Sequence, residues 1–90
     1  MKVVLNKCYG VFQPSELFYE TYNIKKDEVI ERTDKRLIEF VELDNTKASS
    51  QFSNLMVEEI ENGKTYRIIE NDGFEEIQYP EDIIWSIACD

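Results

Sequence analysis

The spacing of hydrophobic positions changes several times along this chain, and the changes mark its elements. Lys2-Val3-Val4-Leu5-Asn6 is a short β-branched run and predicts a strand. Asn6-Lys7-Cys8-Tyr9-Gly10 interrupts it, and Pro14-Ser15-Glu16 then reads as a helix start. Ser15 can cap the first turn, and Glu16 suits the positive end of the helix dipole. Leu17, Phe18 and Tyr22 form one stripe over about two turns, so this helix is short and stops at Asn23. Two readings stay open for residues 24–32: a brief extended piece at Val29-Ile30, or the start of a longer helix. Thr33-Asp34 is a stronger start, after which Leu37, Phe40 and Val41 share a helical face. Residues 45–54 are polar and small, and predict a loop.

The C-terminal part alternates instead. Residues 55–61, the dipeptide Asn62-Gly63 and residues 64–70 predict a β-hairpin with a two-residue type I′ turn. Asp72-Gly73 supplies a second such turn before residues 74–79. Two-residue loops pair Glu61 with Lys64, Val57 with Ile68, Ile68 with Ile77 and Tyr66 with Tyr79. Leu55, Val57, Tyr66, Ile68, Ile77 and Tyr79 then share one face, which a one-residue slip would scatter. Met56, Ile60, Ile69 and Phe74 fall on the other face among charged residues, so that face needs a cover or a second subunit. Pro80 ends the strand, and Ile83-Ile84-Trp85-Ser86-Ile87 reads as a last strand or one helical turn. The expected fold is α+β in the order β-α-α-β-β-β. It is a mostly antiparallel sheet of four or five strands with two helices on one face, in a single domain spanning 1–90.

Ninety residues lie near the lower edge of the size that folds unaided, so self-association is expected. The net charge of −9 is uneven: residues 1–55 carry eight Lys/Arg against nine Asp/Glu, and residues 56–90 carry two against ten. Direct binding to nucleic acid is not expected of such a surface. A phosphate-bearing ligand would sit on the N-terminal part. The acidic part either occupies the basic surface of a nucleic-acid-binding protein as an inhibitor, with Glu58, Glu59, Glu61, Glu70, Glu75 and Glu76, or serves as a solvated face that maintains solubility. No apolar run approaches membrane-spanning length, and Met1 to Lys7 lacks a signal-peptide core. The expected location is the cytoplasm, with Cys8 and Cys89 as reduced thiols; a bridge would require the first and last strands to be neighbours.

The chain has no histidine, which removes the commonest general base, the usual Ser and Cys nucleophile pairs and most zinc sites. No phosphate-loop, dinucleotide or calcium motif is present, and neither catalysis nor a cofactor is expected. Two segments suit an anion. The strand–loop–helix unit can present backbone N–H groups with Lys7 and Gly10. In Arg32-Thr33-Asp34-Lys35-Arg36 the two arginines can share a helical face, unless Arg32 pairs with Glu28 or Glu31 and Arg36 with Glu39 or Asp34. Tyr9, Phe12 and Phe52 are candidates to stack on a flat ligand.

The opening through Asn6-Lys7-Cys8-Tyr9-Gly10 resembles a family of small phage and prophage proteins that begin with a strand followed by N-K-C-Y-G-G-F-G-L-S. Arg32-Thr33-Asp34-Lys35-Arg36-Leu37-Ile38 through Val41-Glu42 resembles that family's R-x-D-P-x-L-I-x-x-V-E-E-L. Leu55-Met56-Val57-Glu58-Glu59-Ile60 and Asp72-Gly73-Phe74-Glu75 are similar to its L-K-I-V-E-I and D-G-x-E. Here Gly10-Val11-Phe12-Gln13 replaces G-G-F-G, Lys35 stands at the proline, and the last residues are acidic where that family often has a basic tail. The family in turn resembles the Thoeris anti-defence sponges, which sequester cyclic ADP-ribose-type signals as oligomers without cleaving them. That resemblance implies a nucleotide-derived signalling molecule as partner and a homo-oligomer. Arg32 and Arg36 would be on the diphosphate, Phe52 or Tyr9 on adenine, and Asn54 at the base edge.

Overall fold

A computed structural model describes residues 1–80. The elements run β1 (Lys2–Asn6), α1 (Glu16–Thr21), α2 (Lys35–Leu43), α3 (Asn45–Ala48), β2 (Leu55–Glu59), β3 (Arg67–Asn71) and β4 (Phe74–Gln78). The class is α+β with antiparallel pairing, as the sequence predicts. The expected element at 83–87, and Cys89 with its bridge, lie outside the described residues.

Both predicted helix starts are present. The Ser15 side chain accepts from the Phe18 amide, and the Asp34 side chain accepts from Arg36 and Leu37. α1 ends where Asn23 enters the left-handed region at φ 53°. The 24–32 stretch is irregular, not a helix. Residues 45–54 depart from the expected loop: Asp44 caps one further turn, α3, by accepting from Thr46 and Lys47.

The single sheet of four or five strands is corrected to two antiparallel pairs, β1 with β2 and β3 with β4. β2 pairs with β1 (Val4 opposite Val57, Asn6 opposite Leu55), where the sequence reading gave it β3. The turn chemistry explains the difference. A type I′ turn needs positive φ at both central residues, and its twist matches that of paired strands. Asp72 (φ 51°) and Gly73 (φ 90°) satisfy this, and the β3–β4 hairpin forms in the expected register, Ile68 opposite Ile77. At Asn62-Gly63 only Gly63 has positive φ, so the Glu61–Lys64 turn closes (Lys64 N–H to the Glu61 carbonyl, 3.1 Å) without pairing its flanks.

The β1–β2 pair lies between two layers. One face packs Val4 and Leu55, with Val57 alongside, against Phe18, Ile30, Leu37, Val41 and Ala48 of the helical layer. The other carries Val3 and Leu5, which join Ile60 under Tyr66, Ile68, Ile77 and Tyr79 of the hairpin. The face expected to be common to Leu55, Val57 and the hairpin residues is thus divided between two cores. Ile60 is buried in the second.

Candidate functional site

β1 delivers the chain into the Lys7–Gly10 loop, and a junction forms there around Asn6 and Glu75. Val4 and Asn6 point their N–H groups away from β2. Val4 donates to the Arg32 carbonyl at 2.8 Å, and Asn6 donates to Glu75 Oε1 at 2.9 Å. The Glu75 carboxylate therefore acts as a strand partner for β1. Its side chain is 5% exposed, and its charge is met by Arg32, whose Nε donates to Oε1 at 3.2 Å and whose Nη2 pairs with Oε2. The Arg32 guanidinium also stacks on the Phe12 ring, 4.2 Å from its centroid.

Asn6 is fully buried and uses its whole amide. Nδ2 donates to the carbonyls of Gly73 (2.8 Å) and Cys8 (3.1 Å), and Oδ1 accepts from the Asn54 N–H (2.8 Å). The Cys8 thiol rests against Asn6 Oδ1 and the Phe52 carbonyl. Two glycines allow the surrounding backbones to meet. A Cβ on Gly73 would lie 1.7 Å from the Gly10 carbonyl oxygen, and one on Gly10 would lie 2.1 Å from that of Phe52. Gly10 thus admits a neighbouring stretch of the same chain, where the sequence suggested a ligand.

Lys7, Tyr9, Gly10, Arg32, Phe52 and Asn54 all meet at or beside this junction. Lys7 N–H donates to the Asn54 carbonyl (2.8 Å) and Val11 N–H to that of Phe52 (3.0 Å), so part of the loop's expected anion-binding backbone serves the 52–54 segment. Lys7 Nζ lies 3.5 Å from Glu58 and 5.4 Å from the centre of the Phe74 ring. Tyr9 stacks beside Phe74 at 5.6 Å. The Asn54 side chain accepts from Asn45 at 3.2 Å. Phe52 is 56% exposed.

Arg36 is held elsewhere. The expected shared helical face fails because Arg32 precedes the Asp34 cap and is not helical. Arg36 pairs with Asp34 (2.7 Å), as one sequence reading allowed, and with Glu28 (3.1 Å). The hydrogen bond to Asp34 raises the guanidinium pKa further, and the same bond holds the Asp34 carboxyl below its ordinary value of 3.8.

Three cavities surround the junction. One of about 230 Å³ is lined by Gly10, Val11, Phe12, Arg32, Glu70, Gly73 and Glu75. A second, of about 290 Å³, is bounded by Tyr9, Ile69, Glu70, Asn71, Phe74 and Glu76. The third, about 390 Å³, lies beside Phe52 with Gln13, Ser15, Ser50 and Gln51. Among the described residues no group of Cys, Asp and Glu is arranged to hold a metal ion, and no helix is long and apolar enough to cross a membrane.

Sequence reasoning missed Asn6, and it placed Glu75 on the acidic face for a basic partner, where the structure instead buries it against Arg32. For Glu75 a signal existed: the β3–β4 register puts it on the same face as Ile77, and a carboxylate there requires a cation. No protein-family model matches the chain, and neither a curated protein nor a solved structure matches it.

Proposed function

We propose that this chain is a non-enzymatic binding protein of the phage or prophage type, working in the host cytoplasm by docking onto the basic surface of a nucleic-acid-binding protein. The supporting observation is how the charges are distributed. Arg32 and Arg36, the cations best placed for a diphosphate, are neutralised within the chain by Glu75, Asp34 and Glu28. Glu59, Glu61, Glu70, Asp72 and Glu76 stand exposed around β2 and the hairpin. Such a surface attracts a basic partner and weakens as salt screens it. The test is displacement of a fluorescent DNA duplex from protamine. Release at low salt that fades with added salt is the expected result, and failure to release the duplex at low salt would count against the reading.

A second reading, capture of a cyclic ADP-ribose-type signal, has its own support. The Arg32 guanidinium stacks on Phe12 at a cavity, and exposed Phe52 lies beside a cleft edged by glutamine and serine side chains suited to a base. The 230 Å³ cavity is below the roughly 300–1,000 Å³ of small-molecule clefts, so it would hold part of such a ligand and a second copy of the chain would complete the site. Val29, Leu43 and Met56 are exposed apolar residues available for self-association. Native mass measured with and without cyclic ADP-ribose tests this reading: a ligand-bound oligomer supports it, and an unliganded monomer in both samples opposes it.

A further inference from the structure

We propose that the cavity between Tyr9 and the outer face of the β3–β4 hairpin receives an arginine side chain of the basic partner; this rests on the docking reading above. The hairpin register puts Ile69, Asn71, Phe74 and Glu76 on the face opposite Ile68 and Ile77, away from the second core. Tyr9, 76% exposed, lays its ring 5.6 Å from that of Phe74 at an interplanar angle of 36°. The cavity they bound is lined by the two aromatic residues, Ile69, Asn71 and Glu76 on this face, with Glu70 at its border. The register turns the Glu70 side chain to the Glu75 face, where its Oε1 accepts from the Gly73 N–H at 2.7 Å, so Glu76 is the carboxylate on the cavity face.

These groups select their occupant. An anion would meet the Glu76 carboxylate, and an uncharged apolar group would desolvate it without compensation. A cation satisfies the Glu76 carboxylate and the exposed Tyr9 ring together, while the Phe74 ring already carries Lys7 at 5.4 Å. A guanidinium suits the site better than an ammonium, because it stacks flat on an aromatic ring while its N–H fork engages carboxylate oxygens. The volume of about 290 Å³ lies at the lower edge of the roughly 300–1,000 Å³ range for small-molecule clefts, which fits one side chain.

The experiment uses fluorescein-labelled hexa-arginine and hexa-lysine with the full chain, read by anisotropy at low salt. Glu76→Gln and Tyr9→Ala alter exposed side chains of the cavity. Glu61→Gln removes the same charge from an exposed position outside it. We expect hexa-arginine to bind more tightly than hexa-lysine. Glu76→Gln and Tyr9→Ala should each weaken hexa-arginine binding about five- to tenfold, and Glu61→Gln less than about twofold. Equal losses for Glu76→Gln and Glu61→Gln, with wild-type affinity in Tyr9→Ala, would overturn the pocket and leave the docking reading standing. No binding of either peptide would overturn both.

Discussion

Arg32 and Glu75, forty-three residues apart, form a two-point ion pair at which the edge of β1, the irregular segment before α2 and strand β4 meet. Glu75 is the more buried partner and also accepts the Asn6 N–H. Arg32→Ala would leave a buried carboxylate without its cation, and we expect it to cost about 2–3 kcal/mol, at the lower end for broken buried pairs because Arg32 is partly exposed. Glu75→Gln keeps an acceptor for Asn6 and should cost about 1 kcal/mol. Urea denaturation of both single variants and the double variant would check the pair: the double variant should be less destabilised than the sum of the two.

The two glycine turns should respond unequally to alanine. Gly63 (φ 84°) has nothing within 4 Å of an added Cβ, so Gly63→Ala should cost only the left-handed backbone penalty, about 1–2 kcal/mol. Gly73→Ala has a comparable backbone penalty and also drives its Cβ into the Gly10 carbonyl, so it should be the more destabilising change by at least about 2 kcal/mol. Thermal denaturation of the two variants side by side measures the difference.

Acid stability should depend on Asp34. Its carboxyl sits below its ordinary value of 3.8, chiefly because Arg36 hydrogen-bonds it. With the folded value the lower one, this stabilisation is complete above 3.8 and is lost as pH falls through the folded value. Asp44 is lowered too, mainly by Thr46, and acts in the same direction. Asp34→Asn keeps a cap acceptor but cannot titrate. Its melting temperature should therefore fall less steeply than that of the wild type between about pH 5 and pH 2, with Asp44 still contributing to the slope.

Local signals carried much of this fold. The β1 run, the Ser15 and Asp34 caps and the paired positive φ angles at Asp72-Gly73 are set by residues close in sequence, and each was legible. Strand partnership was not. Alternation in residues 55–59 defines faces without naming a neighbour, so Asn62-Gly63 alone assigned β2 to β3, and with only Gly63 at positive φ, β2 pairs with β1 instead. The site divides in the same way. Tyr9 and Gly10 drew notice as loop residues, but the reason for Gly10 is a backbone contact with residues more than forty positions away. Arg32 read as a ligand-binding cation because Glu75, which neutralises it, is distant in sequence and sits in a strand rich in carboxylates.

The central claim is that the arginines are committed within the chain and the acidic hairpin side does the binding. A thermal-shift series of the purified chain at low salt, with an arginine-rich peptide and with cyclic ADP-ribose isomers, tests it most directly. The account predicts that the peptide raises the melting temperature, that the rise fades with added salt, and that the nucleotides leave it unchanged. Stabilisation by a cyclic ADP-ribose isomer with none from the peptide would contradict it.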